Sequence, residues 1–256
     1  MIHSNSLRVA LTVLCMGLPF TLSADISTVS TSVGLSFTSS IGSVVLTNPN
    51  GTVFAMTGVG GGSASQTGSG PISAGVISED LPDIFPGSAG ASADAGILSA
   101  SNSVYAETGL FPFPIASTGR STITGTLEIQ GAGAPATLNA SIALTLDQHV
   151  QADFPNQIAT GESIVLFTLS DGDTPIAFDR VVSLGFNNES IFDSSQFLTG
   201  SSSLLQPDTP YTFTLVAESD AGVALAPEPS FLFLSAGVLS ALVVARRLRR
   251  PSPKDV

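Results

Sequence analysis

Strict alternation of apolar and polar residues constrains this chain more than any other feature. Ile123, Leu127 and Ile129 alternate with Thr122, Thr124, Thr126 and Glu128, and beyond the Gly131 to Pro135 turn Leu138, Ala140, Ile142, Leu144 and Leu146 repeat the pattern. A period of two sends successive side chains to opposite faces, which suits a half-buried strand and spoils an amphipathic helix. The two segments are expected to pair as an antiparallel hairpin over a core. Ser163 to Leu169 is nearly continuous in apolar residues, as an interior strand would be; Asp171-Gly172-Asp173 then turns the chain and Ile176 to Phe186 returns. Phe192, Phe197 and Leu198 fall in a Ser/Asp-rich connection. Tyr211, Phe213, Leu215 and Ala217 alternate with Thr212, Thr214, Val216 and Glu218 in a last strand, which Ser219 to Ala226 links to the end of the chain.

The earlier half is less regular. Val33, Leu35 and Phe37 alternate with small polar residues, and Ser43 to Thr47 and Thr52 to Met56 flank Asn48-Pro49-Asn50-Gly51. Asn-Gly is a strong turn signal, so a hairpin is expected there. Gly58 to Gly75 is Gly/Ser-rich and reads as a loop, because it offers little apolar surface to offset its ordering entropy. Glu79 to Gly87 is loop-like, Ser92 to Tyr105 fits a strand or a short helix, and the two phenylalanines of Phe111-Pro112-Phe113-Pro114 are expected to plug one end of the core. Eight or more short strands between Gly/Pro/Asn/Asp turns indicate an all-β body over residues 25–225, an antiparallel β-sandwich compatible with jelly-roll-like connections. Its length is enough for one substantial core without disulfides.

The two ends differ from the body. Arg8 precedes the apolar run Val9 to Phe20, and Thr21-Leu22-Ser23-Ala24 offers small residues for cleavage, the pattern of a secretory signal peptide over residues 1–24. Signal peptidase and the secretion translocon are its implied partners. The one cysteine, Cys15, lies inside this leader, so the body has no thiol nucleophile and no disulfide. At the other end Pro227-Glu228-Pro229-Ser230 precedes the apolar run Phe231 to Ala245, then Arg246, Arg247, Leu248, Arg249 and Arg250, and a polar tail over 251–256. Residues 230–245 would span roughly 24 Å as a helix at about 1.5 Å per residue. A hydrocarbon core is about 30 Å thick, so crossing requires arginine stems that snorkel or a locally thinned bilayer. The four arginines would hold the carboxyl end on the cytoplasmic side.

Pro-Glu-Pro, a short apolar helix and an arginine cluster in that order, over residues 226–250, resemble the PEP-CTERM sorting signal of bacterial exosortase substrates. The resemblance implies that Pro227, Glu228 and Pro229 are recognised by an exosortase in the inner membrane. It also implies that the tail is removed nearby and that the body goes on to the cell surface or extracellular matrix, where exopolysaccharide is an associated partner. A permanent single-pass anchor is the rival expectation. Prolines at both positions disfavour helix and should keep the tripeptide extended outside the bilayer.

Between leader and tail the basic residues are Arg120 and Arg180 alone, set among many scattered acids, in a chain of formal net charge −12. Such a body repels phosphate backbones, which argues against a nucleic-acid partner. Catalytic material is scarce. The body has one histidine, His149, near Asp147 and Asp153, and no lysine, cysteine or tryptophan. If Leu144 and Leu146 point inward, Thr145, Asp147 and His149 point to solvent, which argues against a Ser-His-Asp triad. One histidine without cysteine cannot build the usual zinc sites. Asp171 and Asp173, with Asp179, are the candidates for calcium, although an Asp-Gly turn explains the same residues. The expectation is a non-enzymatic exported protein with no cofactor. The alternatives are a carbohydrate-binding or ice-binding module, for which Thr122, Thr124 and Thr126 supply only one short row, and a secreted hydrolase.

Overall fold

The computed structural model describes residues 25–58, 62–77, 87–107, 114–152, 157–170, 176–185 and 189–225. Twelve strands run through them: β1 (Ile26–Ser39), β2 (Ser43–Thr57), β3 (Ser63–Gly68), β4 (Pro71–Ile77), β5 (Gly87–Asp94), β6 (Ser99–Glu107), β7 (Ile115–Gln130), β8 (Ala136–Gln151), β9 (Gln157–Ser170), β10 (Ile176–Gly185), β11 (Glu189–Leu205) and β12 (Tyr211–Leu225). No helix occurs among the described residues. The leader, Glu79 to Pro86, Phe111 to Phe113, the Asp171-Gly172-Asp173 turn and the whole sorting segment lie outside them.

The strands form two six-stranded sheets in which every pairing is antiparallel. The first sheet has the order β11-β8-β1-β6-β5-β4 and the second β10-β9-β12-β7-β2-β3. Alternation decides which side of each strand is buried. Along β8, Leu138, Ala140, Ile142, Leu144, Leu146 and Val150 are buried while Asn139, Ala143, Thr145, Asp147 and His149 are exposed. The inner faces meet in a sandwich-like core. One cluster gathers Leu35, Ile129, Leu138, Ile142, Phe167, Leu205, Tyr211 and Phe213 near one end, where Phe37 packs against Phe167 and Phe213 at 5.9 and 5.3 Å between ring centroids. A second cluster, built from smaller residues such as Ala55, Ala89, Ala106, Ala159 and Ala221 with Val29, Ile115 and Val223, fills the other end.

Several sequence expectations are corrected. β7 and β8 do not pair; they lie in opposite sheets, and the turn between them, with Gly131 and Gly133 at positive φ, carries the chain across the core. Alternation shows that a strand has a buried face, but the pattern is the same whether two strands lie side by side or face to face. Asn48 to Gly51 is not a hairpin turn. β2 runs straight through it against β7, with a register shift between Thr47 and Asn50 and Asn48 at φ 49°, so the left-handed tolerance of asparagine serves a bulge. The Gly/Ser-rich stretch is not a loop: β3 and β4 occupy most of it, joined by two residues, each hydrogen-bonded along a longer neighbour. Backbone pairing at a sheet edge needs no apolar side chain. Phe192, Phe197 and Leu198 belong to β11, Ser219 to Leu225 is the second half of β12, and residues 92–105 are strand, turn and strand. β9, flanked by β10 and β12, and the β9 to β10 return match expectation.

Three crossings between the sheets run side by side. β1 pairs with β8 in the first sheet while β2 pairs with β7 in the second, and β11 pairs with β8 while β12 pairs with β7. Their turns are tied together: the amide of Ser40 donates to the carbonyl of Thr137 at 2.9 Å and that of Asp208 to the carbonyl of Ile129 at 3.0 Å. The opposite end of the sandwich carries both the start of β1 and the end of β12.

Candidate functional site

Sheet register, rather than any cleft, gathers the side chains with functional potential. The outer face of the second sheet carries three adjacent rows of hydroxyls. Ser170, Thr212, Thr126 and Thr47 are successive cross-strand partners in one row; Thr168, Thr214 and Thr124 form the next, ending at Asn50; Thr122, Thr52 and Thr67 continue the third, which begins with Leu166 and Val216. Neighbouring strands stand about 4.8 Å apart and residues two apart along a strand about 6.8 Å, so the threonines of β7, β9 and β12 form a two-dimensional lattice, whose spacing the bulge between Thr47 and Asn50 interrupts on β2. Each threonine is β-branched and stiff at χ1, which fixes where its methyl and hydroxyl point. Some hydroxyls bond each other: Thr47 Oγ1 and Thr126 Oγ1 are 2.6 Å apart, and Thr52 Oγ1 and Thr67 Oγ1 3.3 Å. The sequence alone showed only the row along β7. Thr-x-Thr at 212 and 214 was the further signal, and only register places it beside 124 and 126.

Charge borders this lattice on one side. Glu218 pairs across strands with Arg120, its carboxylate 3.7 Å from the guanidinium, and Asp220 lies opposite Glu162. Burial is the main force lifting the Glu218 carboxyl above its ordinary range, with the negative charge of Asp220 adding to it and Arg120 opposing. Asp220 is likewise pushed up, first by burial, then by Glu162, against the hydroxyl of Thr118 that donates to it at 2.5 Å.

The outer face of the first sheet is also hydroxylated but by serine. Thr145, Ser32, Ser101, Ser92 and Ser73 follow one another across β8, β1, β6, β5 and β4. An open groove of about 370 Å³ runs over part of this row, lined by Ser32, Ser73, Ser92 and Ser101 with Pro71 and Asp94. Asp94 accepts the amide of Gly96 at 2.9 Å, an ordinary turn contact. Nearer the terminal end of this face, Tyr105 donates to Glu107, and burial together with that carboxylate raises the phenol well above its usual range.

The predicted site residues fare differently. Asp147 and His149 stand exposed on the outer face of β8, as strand parity required, with Ser30 and Thr28 beside them in register. Asp153, Asp171 and Asp173 lie outside the described residues, as do Pro227, Glu228, Pro229, Arg246, Arg247, Arg249 and Arg250. Asp179 sits in β10 opposite Leu166. Among the described residues no three of the metal-ligating types cluster, and no helix is long and apolar enough to cross a membrane. No protein-family model matches the chain, and no curated protein has significant sequence similarity to it.

Proposed function

We propose that this is an exported, non-enzymatic protein of the cell surface or extracellular matrix of a Gram-negative bacterium. In this reading the leader over 1–24 engages the translocon and signal peptidase. The helix over 230–245 holds the precursor in the inner membrane, and an exosortase processes it at Pro227-Glu228-Pro229. The observation that carries the proposal is the order of three features in the tail: the Pro-Glu-Pro motif, one short apolar run and four arginines. The body is compatible with it, since β1 begins and β12 ends at the same end of the sandwich, so both membrane-directed segments leave from one side. The three side-by-side crossings suit a jelly-roll-like sandwich. Intact mass and carboxyl-terminal sequencing of the protein from its native host test the delivery step. An end near residues 227–229 supports processing; an end at Val256 in the membrane fraction makes the tail a permanent anchor and removes the exosortase.

The threonine lattice favours a second reading, a module that adsorbs to a regular array of oxygens. The surface of ice and that of an ordered polysaccharide share this chemistry: hydroxyls and ordered water at fixed intervals, which a face of methyls and hydroxyls repeating at strand spacing can meet without side-chain reordering. This gives the delivered body an adhesive task and is compatible with the sorting proposal.

A further inference from the structure

We infer that processing at Pro227 to Pro229 is limited by unpairing of the end of β12, an inference that rests on the exosortase reading above. Sequence composition suggests a linker over Ser219 to Ala226, but β12 continues to Leu225. Val223 is 2% exposed, belongs to the smaller core cluster and is paired on both sides, with Ile115 of β7 and Ala159 of β9. Ala224 and Leu225 are paired with Ile158 and Gln157 of β9. Only Ala226 separates the ladder from Pro227.

Covalent reach makes this consequential. A chain advances at most about 3.3–3.6 Å per residue, so the Cα of Glu228 lies no more than roughly 11 Å beyond that of Leu225 and that of Phe231 no more than roughly 22 Å. The folded end of a twelve-stranded body is therefore held close to the membrane and to any enzyme reading the motif. An enzyme that binds its substrate as an extended segment needs backbone on both sides of the scissile bond. On the amino-terminal side that backbone is committed to β9.

The two pairs beyond Val223 are the part that can yield. The β7 ladder ends at Val223, so residues 224 and 225 are held by β9 alone, and Ile158 opposite Ala224 is an exposed side chain. Such ends open at a small fraction of the global unfolding cost. Val223, buried and paired on both sides, stops the opening from spreading into the core. The body thus meters its own release, and the cleaved product keeps its fold because the last anchored residue stays seated.

Pulse-chase of the full-length precursor in its native host, following loss of the tail, tests this with three variants. Inserting Gly-Ser-Gly-Ser between Leu225 and Ala226 leaves every paired residue in place and should speed processing roughly three- to tenfold, since the opening step is bypassed. A disulfide across the outward-facing pair, from Ala224→Cys with Ile158→Cys in a body free of other cysteines, should slow processing until reductant is added. Glu228→Ala should block it. If Glu228→Ala blocks processing and the insertion leaves the rate unchanged, the limiting role of β12 is overturned while the sorting motif stands. If Glu228→Ala is processed at the parental rate, the motif is not the recognition site and both ideas fall.

Discussion

Asn102 is fully buried between the sheets, and its placement shows how polar residues organise this interior. Its Nδ2 donates to the carbonyl of Ala217 on the facing sheet at 2.8 Å, and the hydroxyl of Ser121 lies 2.6 Å from its Oδ1. Beside it Ser219 donates to Thr31, Thr31 to Ser163, and Gln148 Nε2 to Ser163 at 2.7, 2.8 and 2.6 Å, a chain linking β12, β1, β9 and β8. These groups sit between the two apolar clusters, and each contact crosses from one sheet to the other. Buried amides and hydroxyls are costly when unpaired, so they fix how the sheets slide relative to each other. Asn102→Ala leaves Ser121 and the Ala217 carbonyl without this partner and opens a cavity; it should cost about 1–3 kcal/mol in urea unfolding. Charge gives a prediction of opposite sign. Glu218 and Asp220 have folded-state pKa values raised above their unfolded ones, so between those values the native state binds more protons. Stability should therefore rise as pH falls from neutral through their raised values, and flatten below the ordinary carboxylate range. Asp220→Asn keeps an acceptor for Thr118; it should raise stability at neutral pH and weaken the slope, as denaturation at a series of pH values would show.

At the scale of strands, close approach between the sheets depends on glycine at chosen places. A Cβ on Gly119 of β7 would lie 2.8 Å from the carbonyl oxygen of Gly90 on β5 and 3.2 Å from Val104 Cγ1. Gly119→Val should force the sheets apart and cost about 1–3 kcal/mol. A Cβ added to Gly34 on β1 would meet no atom within 4 Å, and Gly34→Ala should be tolerated or stabilise by a few tenths to about 1 kcal/mol, since alanine loses less backbone entropy in a strand. Thermal melts of the pair separate packing from backbone preference. The same elements show what the sequence made legible. Buried faces of β7, β8 and β12 followed from alternation, and so did the exposure of Asp147 and His149, while the interior place of β9 followed from its nearly continuous apolar run. Partner choice did not: the turn after Gln130 spells a hairpin equally well whether its strands pair or face each other, and Asn50-Gly51 spells a turn where β2 bulges. The edge strands β3 and β4 escaped because they are held by backbone bonds to β2 and β5, which composition does not record. The threonine lattice was hidden for a related reason, since its members are spread from Thr47 to Thr214 and only cross-strand register makes them neighbours.

For the whole molecule, the two outer faces differ although both are built from hydroxyl residues. Across the middle of the first sheet the outer row is mainly serine, small and rotationally free; the middle of the second shows threonine, whose branched side chain presents a fixed methyl and hydroxyl at each lattice point. A rigid array loses little entropy on meeting a rigid surface, whereas serines must be ordered first. The acidic border of Glu162, Glu218 and Asp220 limits the hydroxyl area to the rows away from it and disfavours contact between copies through this side. Adsorption, if it is the task of the body, should then depend on the middle of the lattice. Thr124 is exposed and Thr214 partly exposed, cross-strand partners in the central row, with no side-chain role in the core. Replacing both by tyrosine should change stability by no more than about 0.5 kcal/mol per site, yet lift the surface off any planar array beneath it. Retention on growing ice and on ordered polysaccharide, measured for the body over residues 25–225 and for this double variant, tells the cases apart. Retention by the parent and a loss of tenfold or more in the variant would make the lattice the contact surface; equal retention would place adhesion elsewhere, and the serine-lined groove of the first sheet would be the next surface to alter.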